Sequence, residues 1–155
     1  LSGYAQSAGG PVLGFAVNEA PQLFQSAVFD HAFLDVAGIM DQPKLPLTEY
    51  EYTEWGNPAD KGIQDAQLVY SPYQNIRPQI YPAMLFLAGR YDQSTPYWQI
   101  AKHVATLRKL NKGQNPILFH TSLYGSHPGT PFGPGLDRLI ERMAFVVAAG
   151  KPGDH

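Results

Sequence analysis

The sequence contains no cysteine, which removes disulfides, thiolate catalysis and cysteine-ligated zinc from consideration. Charge is also scarce: Asp, Glu, Lys and Arg make up 15% of the chain, against about 25% in a typical soluble domain. The formal net charge is −2 and no run of Lys or Arg exceeds two residues, so neither nucleic acid nor a membrane surface is an expected partner. No apolar run approaches the roughly 20 residues of a membrane span. The opening LSGYAQSAGG has neither the basic nor the apolar region of a signal peptide. It also lacks an initiator Met, and the expectation is a processed or truncated piece of something longer. The compartment stays open, with the cytoplasm favoured. Repeats and low-complexity tracts are absent.

What is present is a globular composition. Of the 155 residues, 44% are hydrophobic and 12% aromatic, enough for one domain over 1–155 with a real core. With 15 Gly and 14 Pro, turns must be plentiful. Pro11 to Asn18 reads as a short helix with Pro in its first turn, and Ser26 to Phe29 as a short buried strand. From Asp35 to about Tyr81, Pro residues interrupt every pattern, so a long functional loop with one or two short helices is expected. Regularity then returns. Ala83 to Ala88 is a near-continuous apolar run ending in Gly89, the profile of a strand in a parallel sheet. Thr95-Pro96 looks like an N-cap followed by Pro at the first helical position. Ile100, Val104 and Leu107 then place an amphipathic helix over 96–110. Ile117 to Ser122 is a further strand, GSHPGTPFGPG a loop, and Leu136 to Val147 a closing helix. This order predicts an α/β protein whose parallel sheet is flanked by helices. Such sheets bind ligands in the loops at the carboxyl ends of their strands.

Three residues fall at such ends: Ser7 in AQSAGG, Asp92 in AGRYDQS and His127 in YGSHPG. Their chain order, Ser then Asp then His, is that of α/β-hydrolases. A serine hydroxyl is a poor nucleophile until an imidazole takes its proton. The imidazole in turn needs a carboxylate to fix its tautomer and steady its charged form. A sharp turn at Ser7 requires small neighbours. Gly9 supplies one, while Ala5 stands where Gly is usual. The Ala8 N–H, just past the serine, is the expected oxyanion donor. His31, His103 and His120 are assigned to packing or solvent contact, and His155 is terminal.

The segments PVLGFAVNEAPQLFQSAVFDHAFLDV, PLTEYEYTEWGNP, YSPYQNI, YPAMLFLAGRYDQSTPYWQIAKHVATLRK and GSHPG resemble the carboxyl-terminal catalytic half of the prolyl oligopeptidase family, in its oligopeptidase B (protease II) branch. The likeness implies the carboxyl-terminal half of an α/β-hydrolase fold, lacking the amino-terminal strands and the β-propeller. It implies a serine peptidase acting on short peptides, with Ser7 as nucleophile, Asp92 as acid and His127 as base. No metal or cofactor is implied. In that branch, cleavage after Arg or Lys is attributed to carboxylates before WGNP. Glu51 matches one such position, Thr53 replaces its companion, and Glu54 lies next door. A weaker preference for Arg than the family norm is therefore expected. Ser126 and Pro128 replace glycines that usually flank the histidine. The strand feeding Ser7 and the Tyr that provides a second oxyanion donor are expected to be missing, leaving little activity in the chain alone. Self-association or pairing with a missing amino-terminal part follows as an expectation. An esterase or acylaminoacyl-peptidase-like hydrolase, or an inactive truncated remnant, are the alternatives.

Overall fold

The computed structural model of the protein describes residues 1–127 and 135–150. Four parallel strands form one sheet in the order β1 (Ser2–Gln6), β2 (Ser26–Asp30), β3 (Ala83–Gly89) and β4 (Ile117–Ser122). Sequence neighbours are thus spatial neighbours, joined by crossovers that carry helices, as parallel pairing requires. Every residue of β2 and β3 is buried, which is why these strands read as continuous apolar runs.

Alternation of side chains along the strands divides them between two layers. On one face Ala5, Phe29, Met84 and Phe86 pack with Val17 of α1 (Gly10–Glu19) and with Ile100, Val104 and Leu107 of α5 (Tyr97–Leu110). Phe29 and Phe86 stack with ring centroids 4.8 Å apart. On the other face Val28, Leu85 and Leu87 meet Phe145 and Val146 of α6 (Gly135–Ala149). The i, i+4, i+7 spacing of α5 therefore marks the stripe it buries.

Three expectations change. The strand that leads into Ser7 is present: β1 pairs with β2 along its whole length, from Ser2 opposite Ser26 to Gln6 opposite Asp30. Its sequence, SGYAQ, has only Ala5 to bury, so no local pattern announces it. The backbone pairing supplied by β2 makes the strand. Secondly, the stretch expected to be mostly loop contains three helices, α2 (Val36–Met40), α3 (Thr48–Trp55) and α4 (Ile63–Tyr70). Asp35 caps α2 by accepting from the Gly38 N–H at 3.2 Å. Buried Gln67 of α4 donates to the carbonyls of Trp55 and Gly56, tying α4 to the end of α3. Such short helices are held by tertiary contacts and carry little periodic signal. Thirdly, α5 starts at Tyr97 with Pro96 before it, and Thr95 makes no capping bond. The Thr95 hydroxyl donates instead towards Asp92 and the His31 carbonyl.

The closing helix is found over Gly135–Ala149. Of the glycine- and proline-rich loop expected after β4, residues 128–134, Pro128 among them, lie outside the described residues.

Candidate active site

Ser7 directly follows β1 and has a left-handed backbone, φ 50°. A short 3-10 turn, Ser7–Gly9, then hands the chain to α1. Left-handed backbone is uncommon for a residue with a side chain. Here it is fixed from both sides: β1 holds the entry, and the Ser7 carbonyl accepts from the Phe33 N–H at 2.9 Å. Gly10 makes the close approach possible, because a Cβ there would come within 2.6 Å of the Phe33 backbone. Gly9 has more room. A Cβ on it would meet the Ala5 methyl at 3.7 Å, an ordinary contact, which explains why alanine is tolerated at position 5.

Asp92 sits in the turn after β3, buried to 5% exposure. Its Oδ1 accepts from the N–H groups of Ser94 at 2.9 Å and Thr95 at 2.8 Å. The Thr95 hydroxyl lies 2.9 Å from both Asp92 Oδ2 and the His31 carbonyl, bridging the ends of β3 and β2. Burial pushes the Asp92 carboxyl up, but bonds from His127 and Thr95 outweigh it and hold the group below its ordinary value. It is therefore ionised at neutral pH.

His127 follows β4 and joins the other two. Its Nδ1 lies 2.7 Å from Asp92 Oδ2, and its Nε2 lies 2.9 Å from Ser7 Oγ. The carboxylate places the ring proton on Nδ1, which leaves Nε2 to accept from the Ser7 hydroxyl. The register explains the convergence. Gln6 pairs with Asp30, Asp30 with Leu87, and Gly89 with Ser122, so three loops leave the same rim of the sheet.

Beside Ser7 opens a cleft whose lining includes Ala8, Phe33, Met40, Trp55, Glu51 and Glu54. Phe33 and Trp55 meet edge to face with centroids 5.3 Å apart, giving it an apolar wall. Glu51 Oε2 accepts from the Trp55 indole N–H at 3.0 Å. Thr53 is exposed, and its hydroxyl donates to the Tyr50 carbonyl at 3.1 Å. Of the acids expected near a substrate, Glu51 and Glu54 thus reach the cleft beside the serine.

The remaining described histidines divide. His103 is buried against Phe86, and burial, with Lys102 beside it, pushes it down to about 3, so it stays neutral in the core. His120 pairs with Glu141 on the surface at 2.8 Å. His31 does more than pack generically: it is 1% exposed, has φ 49° and lies next to the His127 ring. Thr95, expected as a helix N-cap, instead serves Asp92 and the His31 carbonyl; the bond from the Ser94 N–H to Asp92 Oδ1 is the local turn that brings it there. Nothing local points to His31.

A family model described as the prolyl oligopeptidase family matches residues 4–148. Dipeptidyl aminopeptidase BI of Pseudoxanthomonas mexicana is 44% identical over 123 residues, covering 79% of this chain and 17% of that protein. Protease 2 of Moraxella lacunata is 35% identical over 146 residues, 91% of this chain and 21% of that protein. Among solved structures, oligopeptidase B from Leishmania major superposes with a TM-score of 0.83 at 34% identity, over 96% of this chain and 20% of that one. The closed form of oligopeptidase B from Trypanosoma brucei, with covalently bound antipain, gives 0.80 at 38% identity, over 83% and 18%. The chain spans about a fifth of the length of the curated relatives it matches.

Proposed function

This chain belongs to the prolyl oligopeptidase family, and from that premise we propose that residues 1–155 are part of the catalytic domain of a serine-type peptidase. The sheet and its flanking helices are those of an α/β-hydrolase catalytic domain. The observation that carries the reading is the continuous hydrogen-bonded line from Asp92 through His127 to Ser7, at 2.7 and 2.9 Å, on a left-handed elbow.

The chemistry follows from that line. Ser7 Oγ attacks the scissile carbonyl carbon while its proton passes to His127 Nε2. The carbonyl oxygen becomes an oxyanion, towards which the Ala8 N–H donates. His127 then gives the proton to the leaving amine, and the C–N bond breaks to leave an acyl-serine. Water repeats the sequence: His127 takes its proton, the acyl–oxygen bond breaks, and Ser7 regains its hydrogen. Asp92 keeps the imidazole oriented and steadies its charged state throughout. Only water is consumed.

The substrate would be a short peptide cleaved after Arg or Lys. Phe33, Met40 and Trp55 offer an apolar wall for the methylene stem, and Glu51 and Glu54 offer negative charge. One Glu51 oxygen already serves the Trp55 indole. With Thr53 exposed in place of a further acid, the basic preference should be weaker than two inward-facing carboxylates would give.

The test is made on the full-length protein carrying this chain. A fluorophosphonate should label Ser7, and S7A should abolish both labelling and peptide turnover. In E51Q, turnover of Arg and Lys peptides should fall at least about tenfold, consistent with losing a charged hydrogen bond of roughly 1.5–3 kcal/mol, while a Phe peptide is unaffected. Equal loss on Arg and Phe peptides would remove the specificity assignment. Absence of labelling would remove the serine mechanism.

A further inference from the structure

A second buried Asp–His pair lies behind the first. Asp30 ends β2 and His31 follows it, at 2% and 1% exposure. His31 Nδ1 lies 2.7 Å from Asp30 Oδ1. The other Asp30 oxygen is 2.8 Å from Arg142 of α6 and 3.3 Å from the Tyr4 hydroxyl of β1. The carboxylate places the His31 ring proton on Nδ1. Its Nε2 is buried and has no hydrogen-bond partner among the described residues.

The ring is also held in place by the backbone. His31 is left-handed at φ 49°, its N–H donates to the Leu87 carbonyl at 2.8 Å, and its carbonyl accepts from Thr95. A strained backbone and an unpaired buried nitrogen both cost stability, and such features collect where a site needs a fixed geometry. The Nε2 edge faces the place where a Cβ on Gly89 would be, at 3.1 Å, beside the Gly125 carbonyl. His31 therefore underlies the segment that carries His127. The two imidazoles meet almost perpendicularly, at 88°, with centroids 6.1 Å apart.

We propose that His31 is a positioning residue for His127: locked by Asp30, its ring braces the neighbouring imidazole on the Ser7–Asp92 line. The inference rests on the triad reading given above. The physical need is specific. The bonds at Nδ1 and Nε2 align His127 only while the segment that carries it keeps the ring within reach of Asp92 and Ser7. The side chain keeps 26% exposure, so solvent borders one side. A ring packed edge to face on the buried side holds the imidazole in that place. Asp30 fixes the brace, and Arg142 and Tyr4 fix Asp30 to α6 and β1.

His31→Asn separates this role from a backbone role, because Asn tolerates the left-handed conformation and can still donate to Asp30. It removes only the part of the ring that reaches His127. The experiment measures fluorophosphonate labelling of Ser7 and turnover of an Arg fluorogenic peptide in full-length wild type and H31N, with thermal melts of both. Expected are a cooperative melt, kcat and the maximal labelling rate lowered about tenfold or more, and KM unchanged. Unchanged kcat and labelling in a folded H31N overturn the inference alone. A wild type that does not label at Ser7 overturns the triad reading and the inference together. Should H31N fail to melt cooperatively, H31G relieves the backbone, removes the whole ring and is judged by the same split between kcat and KM.

Discussion

The Asp92 carboxyl is pulled two ways: burial favours its neutral form, while bonds from His127 and Thr95 favour the charged one and prevail. Its folded-state value lies below the roughly 3.9 of an unfolded Asp. The unfolded chain therefore binds the proton first as pH falls. The stabilisation from this group is full above about pH 4 and is lost as pH drops through the lower folded value. In D92N that part of the acid sensitivity should vanish from urea-unfolding curves taken between neutral pH and about pH 3. The same variant should lose about 10⁴ in kcat while keeping its fold, because an amide no longer enforces the Nδ1–H tautomer. A D92N protein that turns over peptide normally would show that His127 needs no carboxylate. Thr95 belongs to the same scale: one hydroxyl bridges Asp92 to the end of β2 and also stands 3.3 Å from His127 Nδ1.

At the scale of elements, the site depends on three strands ending together. Gly89, the last residue of β3, is the contact point. A side chain there would strike the Gly125 carbonyl, which accepts from the Tyr91 N–H at 3.1 Å and seats the segment leading to His127. Gly89→Ala should therefore cost about 1–3 kcal/mol in stability, the usual range for overpacking. It should also lower kcat about 10²-fold by displacing His127. Circular dichroism melts with steady-state kinetics would check this, and full activity in G89A would show that the segment seats itself without that contact. The helices between β2 and β3 work differently. Phe33, Ile39 and Met40 form a small core of their own with Trp55 and Tyr52, and this cluster, separate from the main sheet core, forms much of the cleft wall. Lys102 of α5 pins it by pairing with Asp35 and lying over the Tyr73 and Trp98 rings.

At the scale of the whole molecule, α6 has two apolar sides. Phe145 and Val146 pack on the sheet, while Leu136, Ile140, Met143 and Val147 are 69%, 56%, 56% and 58% exposed. The free sides of β1 and β4 have no strand partner among the described residues. Open edges and an apolar helix stripe promote association. The 155 residues in isolation should therefore run larger than a monomer in light scattering and turn over peptide far more slowly than the full-length protein. Ile140→Lys with Met143→Lys should shift the isolated chain towards monomer. A monodisperse wild-type chain as active as the full-length protein would contradict this. No described helix is long and apolar enough to cross a membrane.

The sequence by itself determined the α/β class, the strands at 83–89 and 117–122, and the positions of Asp92 and His127 beyond the ends of those strands. These signals are local: a fully apolar run needs two covered faces, and a chemistry-bearing side chain beside a glycine stands out from its neighbours. Segment likeness also carried the family, because EWGNP and YSPY are unusual strings. Only the tertiary structure decided the rest. SGYAQ becomes a strand because β2 offers it hydrogen bonds, not because it hides apolar surface. Thr95 leaves its helix uncapped because Asp92 and the His31 carbonyl, 64 residues away, claim its hydroxyl. His31 lies against His127 because β2 and β4 flank β3 in register, a relation set by pairing across the sheet and not by either residue's neighbours in the chain.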